Sequence, residues 1–448
     1  MLKPSLLGAL LLAPVLSAAA LPAAADSAAD LGKTLTPYGA IKAANKDGSI
    51  PEWTGGINKA PAGFKKGDHQ VDPFADDKPL FTIDASNMDR YADKLPDGLK
   101  AMLKQYPQTY KMTVYPTRRS AAAPQRIYDG TIANATRGKL TENGNGVVGA
   151  QEGIPFPIPT EGVQAVWNHV LRWRGNTVVR RYGQANPQSD GSFTMITIQE
   201  RVKYLFTQPG GPGGNVSLYF LQEVVAPARL AGEMLLVHDT INQVAEPRNA
   251  WTYNPGQRRV RRAPNVAYDN PGTAADGLRT SDQLDMYNGS PDRYDWKLIG
   301  RQEMYVPYNA YKLDSDKVTY NQIIKPKHIN QDLARYELHR VWIVEGTVKK
   351  GTSHIYAKRR FYLDEDSWQI LVADQYDSRG QMWRVGESHG IAYAEVPVYT
   401  TTLDCFYDLQ SGRYTCNGFN NQEPAEDYDA QLTAADFSPD ALRQSGIR

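Results

Sequence analysis

The sequence predicts a mainly β protein in which a long antiparallel meander follows an irregular, partly helical N-terminal region. From about residue 165 the chain alternates extended apolar stretches with short turn clusters. The links between the last strands hold only a few residues, whereas a parallel crossover needs about a dozen or more. These strands are therefore expected to pair as antiparallel neighbours. The predicted strands are 176–184, 192–206, 216–226, 233–240, 336–347, 354–363, 368–376 and 381–389.

The region from residue 36 to about 165 is rich in Pro, Gly, Asn and Asp and has few periodic stretches. One helix is predicted from Met88 to Tyr106, because Leu95, Leu99, Met102 and Leu103 have the spacing of one helix face. Pro96 suits the first turn of such a helix. A meander must bury one face and protect its edges, so this region is expected to cover the sheet as an arm or lid.

The N-terminus has the pattern of a cleavable secretory signal. Lys3 is followed by the apolar run 6–16 and by the small-residue cleavage site 23–25. The chain has no cysteine near that site, so we expect a periplasmic protein without a lipid anchor. The expected division is a signal peptide at 1–25, an arm or lid at 26–165, a β region at 166–420 and a C-terminal tail at 421–448.

The formal net charge is +1 and 41% of the residues are hydrophobic. A chain so nearly neutral has no global attraction to nucleic acid or to an anionic membrane, so any electrostatic recognition must be local. Cys405 and Cys416 flank a strand–turn–strand pattern centred between Gln410 and Ser411, which places them opposite each other. A disulfide is expected in an oxidising compartment, whereas a redox-active pair normally has Cys-x-x-Cys spacing.

The stretch Trp251–Pro264 indicates a β-hairpin with an aromatic arm and a basic return arm. Asn254-Pro-Gly-Gln257 favours a type II turn, because Pro fixes φ at the second position and Gly allows a positive φ at the third. Alternation puts Trp251 and Tyr253 on one side of their strand, and Arg259 and Arg261 on one face of theirs. Aromatic rings beside guanidinium groups suit a ligand with an apolar body and an anionic end.

Two structural alternatives remain open for these residues. The arginines of the hairpin are either solvated or paired with six aspartates that follow, and exposed pairs contribute only about 0–1 kcal/mol. Aromatic residues on strand faces, including Trp342 and Trp368, are more often core than binding site. However, 26 Tyr and 8 Trp carry many polar groups that need partners. This surplus favours a partly wet cavity, for which Trp251, Tyr253, Arg259, Arg261, Trp342 and Trp368 are the candidate ligand-binding residues.

Three patterns resemble known catalytic or ligand-binding motifs, but the residues around each of them do not fit the motif. Gly386-Glu-Ser-His-Gly390 matches a nucleophile elbow, but an extended segment follows it and no histidine comes later in the chain. The seven histidines lack metal-ligand spacing. Gly210–Gly214 lacks the Lys-Ser/Thr ending and the helix of a phosphate loop. We therefore expect no catalytic residue, metal or cofactor.

Several ordered motifs resemble the Gram-negative exported family known as domain of unknown function 1329, which is grouped with the LolA/LolB-like lipoprotein-sorting superfamily. The resemblance covers about residues 35–420. Its motifs are Leu35-Thr-Pro-Tyr-Gly-Ala40, Asp47-Gly-Ser-Ile-Pro-Glu-Trp-Thr-Gly-Gly56, Val114-Tyr-Pro-Thr-Arg-Arg119, Phe156-Pro-Ile-Pro159, Trp167-Asn-His169, the hairpin from Trp251 to Pro264, Ser281-Asp-Gln-Leu-Asp-Met-Tyr-Asn-Gly289 and Val306-Pro-Tyr-Asn309.

The resemblance implies a large curved antiparallel half-barrel that is unclosed, is covered by helices or loops, and holds an apolar concavity. It also implies partnership with an outer-membrane β-barrel protein and a resistance-nodulation-division transporter. The chain is roughly twice as long as the lipoprotein carriers and has no lipidated cysteine like that of LolB. The leading hypothesis is a non-enzymatic periplasmic carrier or chaperone for a hydrophobic or amphipathic, lipid-like molecule. The alternatives are a docking module without its own ligand and a carboxylate-dependent hydrolase using residues such as Asp374 or Glu345.

Overall fold

The computed structural model describes residues 26–445, so the predicted signal peptide lies outside the described residues. Its helices are α1 Asp97–Gln105, α2 Gln125–Arg137, α3 Gly162–Leu171, α4 Tyr311–Asp314, α5 Tyr320–Ile323 and α6 Pro439–Ser445. Its strands are β1 Phe81–Ile83, β2 Met112–Val114, β3 Lys139–Leu140, β4 Val147–Val148, β5 Thr177–Ala185, β6 Ile196–Tyr204, β7 Val216–Ala226, β8 Met234–Thr240, β9 Asn249–Asn254, β10 Arg259–Arg262, β11 Tyr294–Pro307, β12 Tyr336–Val348, β13 Lys358–Asp364, β14 Ile370–Tyr376, β15 Met382–Tyr393, β16 Val398–Asp408 and β17 Arg413–Phe419. Within this described range, none of the helices combines the length and apolar character that a bilayer span requires.

One large sheet dominates the molecule, with the strand order β1-β2-β12-β13-β14-β15-β16-β17-β5-β6-β7-β8-β9-β10 and with β11 also paired to β12. Its pairs are antiparallel except for a single parallel contact between β2 and β12. The last strand, β17, returns beside the first strand of the predicted β region, β5. The sheet does not close into a barrel, so the prediction of a mainly β protein with an open antiparallel sheet is confirmed.

After residue 165 the predicted strands match the observed ones closely, with one omission, one extension and two early starts: the predicted 192–206 and 354–363 begin four residues before β6 and β13. Strand β11 was missed, because a β-bulge between Leu298 and Gly300 interrupts its alternation. Strand β15 continues to Tyr393, four residues beyond its predicted end. β1 and β2 join the main sheet although they precede residue 165, so part of the predicted arm is built into the sheet edge.

The prediction of a single helix from Met88 to Tyr106 was wrong, because this stretch forms two separate helices. A 3₁₀ helix runs over Met88–Lys94, and α1 begins only at Asp97. Pro96 is the N-cap residue of α1, with an extended backbone, and Leu95 before it is also extended. Because proline disfavours the α conformation of the preceding residue, the helix is interrupted there.

The two faces of the sheet have different covers. The α1 face packs Leu99, Met102 and other apolar residues of the N-terminal region against β14 and β15. The α3 face packs Trp167 of α3 against Phe361 and Phe406. The loop 264–290, here named the cap segment, also covers the α3 face. Met286 of the cap segment contacts this face at the Cα of Gly386, where a Cβ would lie 3.0 Å from the methionine methyl carbon.

The C-terminal segment 434–445 covers the α1 face of β7–β9. Phe437 and Leu442 are buried against Leu221, Leu236 and Tyr253. As a result, the strands nearest the open edge are also packed on both faces, and the molecule has an interior on each side of the sheet.

Candidate functional site

The basic hairpin forms as predicted, but its turn differs. Gln257 donates its backbone N–H to the carbonyl of Asn254, which closes the turn. Gly256 does not have the positive φ that a type II turn requires; Arg258 instead has φ +49°. The expected type II turn was therefore wrong, and the left-handed residue, Arg258, comes three positions after Pro255. A type I turn followed by a left-handed residue is another common way to link two antiparallel strands.

The register of the hairpin separates its aromatic residues from Arg259 and Arg261. Arg262 pairs with Trp251 and Val260 with Tyr253, so Arg259 and Arg261 lie on the opposite, α3 face with Thr252. Tyr253 is 2% exposed beneath Phe437 and Leu442, and Trp251 packs edge-on against His238. The structure thus does not bring the predicted aromatic and guanidinium groups into one site. Their role in binding remains a prediction.

Four of the six aspartates that follow the hairpin pair with cations elsewhere, and within the described residues none of the six forms an ion pair with the arginines of the hairpin, so that proposed pairing was wrong. Asp269 contacts Arg293, Asp276 contacts Arg413, Asp282 contacts Arg359, and Asp285 contacts Arg172 and Arg174. These five contacts tie the cap segment to β17, β13 and the residues before β5 and β11. The acidic composition of this loop therefore serves to fasten it onto the sheet.

Trp342 and Trp368 do come together, with their rings stacked at a centroid distance of 6.1 Å. Both belong to the buried cluster beneath α3. The indole N–H of Trp368 donates to the carbonyl oxygen of Tyr38, which joins the N-terminal region to the sheet. This placement is that of core residues, and their predicted ligand contact is untested.

Cys405 and Cys416 are direct cross-strand partners on β16 and β17 and form a disulfide. Both are fully buried on the α1 face. The symmetry of the intervening sequence therefore predicted the pairing correctly.

A cavity of about 60 Å³ lies on the α3 face, against the adjacent strands β16, β17, β5, β6 and β7. This volume accommodates roughly four to six water molecules. The cap segment covers it with Leu284, Asp285 and Asn288, and Tyr428 lines it from the C-terminal side, but the cavity remains partly open to solvent. Its apolar side chains are Val178, Val202, Leu218, Phe220 and Leu284, and its polar ones, here named the polar wall, are Arg174, Arg180, Glu200, Asp285, Asp404 and Asn417. The family resemblance implied an apolar concavity, whereas this cavity is amphipathic.

The polar wall is organised around Glu200, which is 1% exposed. Arg180 lies opposite it on β5, and its Nε donates to Oε1 at 2.7 Å. The hydroxyl of Tyr182 donates to Oε2 at 3.0 Å, and Nε2 of Gln222 donates to that hydroxyl. A buried carboxylate is costly unless it is paired and hydrogen-bonded, and both oxygens of Glu200 have such a partner.

The cap segment is held over the cavity by Asp285. Its carboxylate accepts hydrogen bonds from Nη2 of Arg172 at 2.6 Å and Nη1 of Arg174 at 2.5 Å. Burial raises the pKa of this carboxyl, but the two guanidinium groups outweigh burial and leave the pKa below its usual value. Burial and the charge of Arg172 lower the pKa of the neighbouring His169 to about 3, so this histidine is neutral at physiological pH.

Asp404 contributes a second carboxyl group to the polar wall. Oγ1 of Thr401 donates to its Oδ1 at 2.7 Å. Burial, followed by the charge of Asp285, raises the pKa of Asp404 to about 7. In the described chain no Lys, Arg or His nitrogen lies within the 4.0 Å ion-pair distance of this carboxyl. Its proton is therefore retained into the neutral pH range.

The sequence reading missed the polar residues of this cavity, although a signal for them was present. Arg180 lies between Val178 and Tyr182 at the spacing of one strand face, and Glu200 lies likewise between Ile198 and Val202. A charged residue flanked on its own face by apolar ones indicates a buried charge. Two such positions on consecutive antiparallel strands would have suggested the Arg180–Glu200 pair.

The rejected nucleophile-elbow pattern lies within a continuous strand. Ser388 is in the middle of β15, directly opposite Asp404, and is fully buried. Its Oγ accepts a hydrogen bond from Nε2 of Gln369. The elbow requires a strand–turn–helix, so this serine has no such geometry.

One group of side chains has ligand atoms close enough to surround a cation. Atoms of His339, Asp364 and Asp366 lie within 4.8 Å of one another and are buried. Sequence spacing did not reveal this group, because the two carboxylates come from the turn that precedes β14. Both Asp366 oxygens accept hydrogen bonds from Arg119, and Oδ2 of Asp364 accepts from Tyr308 and Ser367. Most of the carboxylate oxygens that could bind a cation here therefore already accept hydrogen bonds from the protein.

Comparison with known proteins gives the family. The family model described as "Protein of unknown function (DUF1329)" matches residues 82–443, and the chain belongs to this family. An uncharacterized protein of Pseudomonas aeruginosa, PA3922, is 53% identical over 429 residues, which cover 95% of this chain and 94% of that protein.

Two crystal structures are similar to this chain over part of its length. A DUF1329 family protein from Desulfovibrio piger is 18% identical, with a TM-score of 0.41 over 60% of this chain and 92% of its own. The LolA superfamily protein NE2245 from Nitrosomonas europaea is 12% identical, with a TM-score of 0.38 over 63% of this chain and all of its own. The match of the family model over residues 82–443 confirms the family membership predicted from the sequence motifs.

Proposed function

We propose that this protein is a non-enzymatic periplasmic carrier or chaperone for a hydrophobic or amphipathic, lipid-like molecule. The observation that carries the proposal is the cavity between the sheet and the cap segment, whose lining combines apolar side chains with charged and polar ones. Export is supported by the signal pattern at 1–25. The LolA superfamily likeness supports a carrier of this general kind.

The physics of burial agrees with such a role. Each methylene group that leaves water contributes about 0.8 kcal/mol, so an apolar wall alone can retain a short acyl chain. The cavity accommodates only part of an amphiphile, so a long acyl chain requires movement of the cap segment. Asp285 is one of the buried contacts that hold this segment, the one that lines the cavity, and its rupture is the expected opening step.

Partner proteins are also predicted, from the family resemblance. An outer-membrane β-barrel protein and a resistance-nodulation-division transporter are the expected companions. In this role the carrier passes its ligand between membrane-embedded partners, in a direction that the proposal leaves open.

Native mass spectrometry of the protein from a Gram-negative periplasm, followed by lipid extraction, tests the carrier proposal. Val178→Phe fills the cavity, and Val179→Phe is the matched control because its side chain lies on the other face of β5. We expect a co-purifying amphiphile that is lost from Val178→Phe and retained by Val179→Phe. An empty unmodified protein that also binds no fatty acid or apolar dye would exclude the carrier function.

A docking module without its own ligand is the second candidate, and the open sheet edge favours it. β10 is the last strand in the order, and Arg259, Arg261 and Arg262 on it are exposed. Unpaired backbone groups of an edge strand recruit partners, and arginine restricts them to acidic ones. The test is a pull-down of transporter components with Arg259→Glu/Arg261→Glu, with Lys111→Glu beside β2 at the other end of the sheet as control. Capture unaffected by both variants would exclude docking through this edge.

A further inference from the structure

The cavity contains hydrogen-bond donors that the protein itself leaves open. Arg180 uses only Nε for its bond to Glu200, and its two terminal nitrogens donate no hydrogen bond to any residue from 26 to 445. The Arg180 side chain is 23% exposed, and the residue lines the cavity. The planar pair of terminal nitrogens matches the two oxygens of a carboxylate or phosphate.

Asn417 adds a second open group on the neighbouring strand. It lies opposite Gln184 of β5 and opposite Asp404 of β16, and it also lines the cavity. Its side-chain amide makes no hydrogen bond within the described chain, and its Oδ1 is buried without a partner. An anionic ligand can use the Nδ2 of this amide, because Nδ2 donates and the oxygens of an anion accept, whereas Oδ1 is itself an acceptor.

The charges around the cavity also favour an anion. Arg174 and Arg180 line the cavity, and Arg172 lies fully buried behind Asp285; these three guanidinium groups pair with two carboxylates, Asp285 and Glu200. The remaining acid is Asp404, which has no ion-pair partner in the described chain. With Asp404 protonated, these three guanidinium groups and three carboxyl groups carry one net positive charge, partly shielded from solvent.

We propose that the cavity binds the anionic head group of its amphiphile, a carboxylate or a phosphate, through the terminal nitrogens of Arg180 and Nδ2 of Asn417. The apolar side chains of Val178, Val202 and Phe220 then contact the first methylenes of the tail. This inference rests on the proposed carrier function and specifies the chemical class of its ligand. It places the binding of the anionic head group in the cavity and not at the basic hairpin.

The unmodified, delipidated protein provides the primary test. Octanoate, octyl phosphate, octanol and octylamine share one tail and differ only in the head group, and calorimetric titration at pH 6 gives their affinities. We expect octanoate or octyl phosphate to bind at least about tenfold more tightly than octanol, and octylamine to bind most weakly. The tighter of the two anions identifies the head group as carboxylate or phosphate.

The outcomes separate the two proposals. Equal binding of all four compounds, or preference for octylamine, overturns the anionic-head inference and leaves the carrier function in place. No binding of any of them contradicts the carrier function itself.

Arg180→Gln provides the residue-level test, with Arg181→Gln as control. Arg181 is the next residue, points to the other face of β5 and pairs there with Glu423. We expect Arg180→Gln to weaken octanoate binding about tenfold and to leave octanol binding unchanged. If the unpaired Glu200 prevents folding, the neutral pair Arg180→Gln/Glu200→Gln replaces the single variant. Unchanged octanoate binding in the folded variant overturns the assignment.

The pH dependence gives a second readout on the same site. The ionisable and charged groups that line the cavity around Asp404 are Arg174, Arg180, Glu200, Tyr204, Asp285 and Tyr428. Ionisation of Asp404 cancels the excess positive charge, so octanoate affinity should fall as the pH rises through about 7. In Asp404→Asn this decline should disappear. A steady or rising affinity in the unmodified protein would contradict the charge argument.

Discussion

Arg119 and Asp366 form a buried bidentate ion pair that joins the N-terminal region to the sheet. Nε of Arg119 donates to Oδ2 at 2.8 Å and Nη2 to Oδ1 at 2.7 Å. The two side chains are only 3% and 1% exposed. Arg119 precedes α2, whereas Asp366 lies in the turn between β13 and β14, so the pair fixes a long-range contact across 247 positions of sequence.

Arg119→Met should destabilise the protein by about 3–5 kcal/mol, because it leaves a buried carboxylate without its partner. The adjacent Arg118 is 45% exposed and pairs with Asp77, so Arg118→Met should cost only about 0–1 kcal/mol. Urea unfolding of both variants measures the difference. Arg119→Met/Asp366→Leu should recover part of the loss, and equal effects of the two single variants would refute the ranking.

The disulfide should contribute about 2–4 kcal/mol to the free energy of unfolding. Cys405 and Cys416 are 11 positions apart and fully buried, so their removal releases a short loop in the unfolded chain and weakens core packing. The test compares urea unfolding of Cys405→Ala/Cys416→Ala with that of the oxidised protein. A midpoint unchanged by the replacement would show that hairpin register alone holds these strands.

Asp374 should make stability fall with rising pH. Its carboxyl accepts hydrogen bonds from the backbone N–H of Gly98 and the hydroxyl of Tyr362, but burial raises its pKa to about 7. Between about pH 4 and pH 7 the folded state therefore binds a proton that the unfolded state lacks. The stabilisation that this proton provides is fully present below the pKa of Asp374 in the unfolded chain. It is lost as the pH rises through the pKa of Asp374 in the folded protein.

The corresponding variant is Asp374→Asn, which is neutral at every pH. Relative to this variant, the unmodified protein should lose roughly 2–4 kcal/mol between pH 4 and pH 8. Asp440→Asn, at an exposed position of α6, is the control. A constant difference between unmodified protein and Asp374→Asn across this range would argue against a proton on Asp374.

Asp285→Asn should loosen the cap segment, because two buried guanidinium groups lose their counter-charge. Hydrogen exchange in residues 264–290 should accelerate about tenfold or more, while exchange in β12–β15 remains slow. Asp295→Asn, an exposed position on β11, is the matched control. Uniform acceleration across the sheet would indicate global destabilisation instead of release of the cap segment.

Local sequence patterns were sufficient to predict most strands after residue 165, their antiparallel pairing and the disulfide. Side-chain alternation has a period of two, and short links permit only antiparallel neighbours, so these features follow from neighbouring residues. The same alternation correctly placed Trp251 with Tyr253 and Arg259 with Arg261. Local rules failed where one residue shifts the period, as at the bulge beside Gly300, or interrupts a helix, as at Pro96.

Only the tertiary structure decided what covers each face. Tyr253 is a core residue because Phe437 and Leu442, almost two hundred positions later, pack over it. Arg180 and Glu200 form a cavity wall because the cap segment and Tyr428 enclose them. Burial depends on segments distant in sequence, and burial in turn decides which charges are paired and which remain open to a ligand. For this reason the sequence by itself determined the strands and their faces, whereas the candidate site emerged only from their packing.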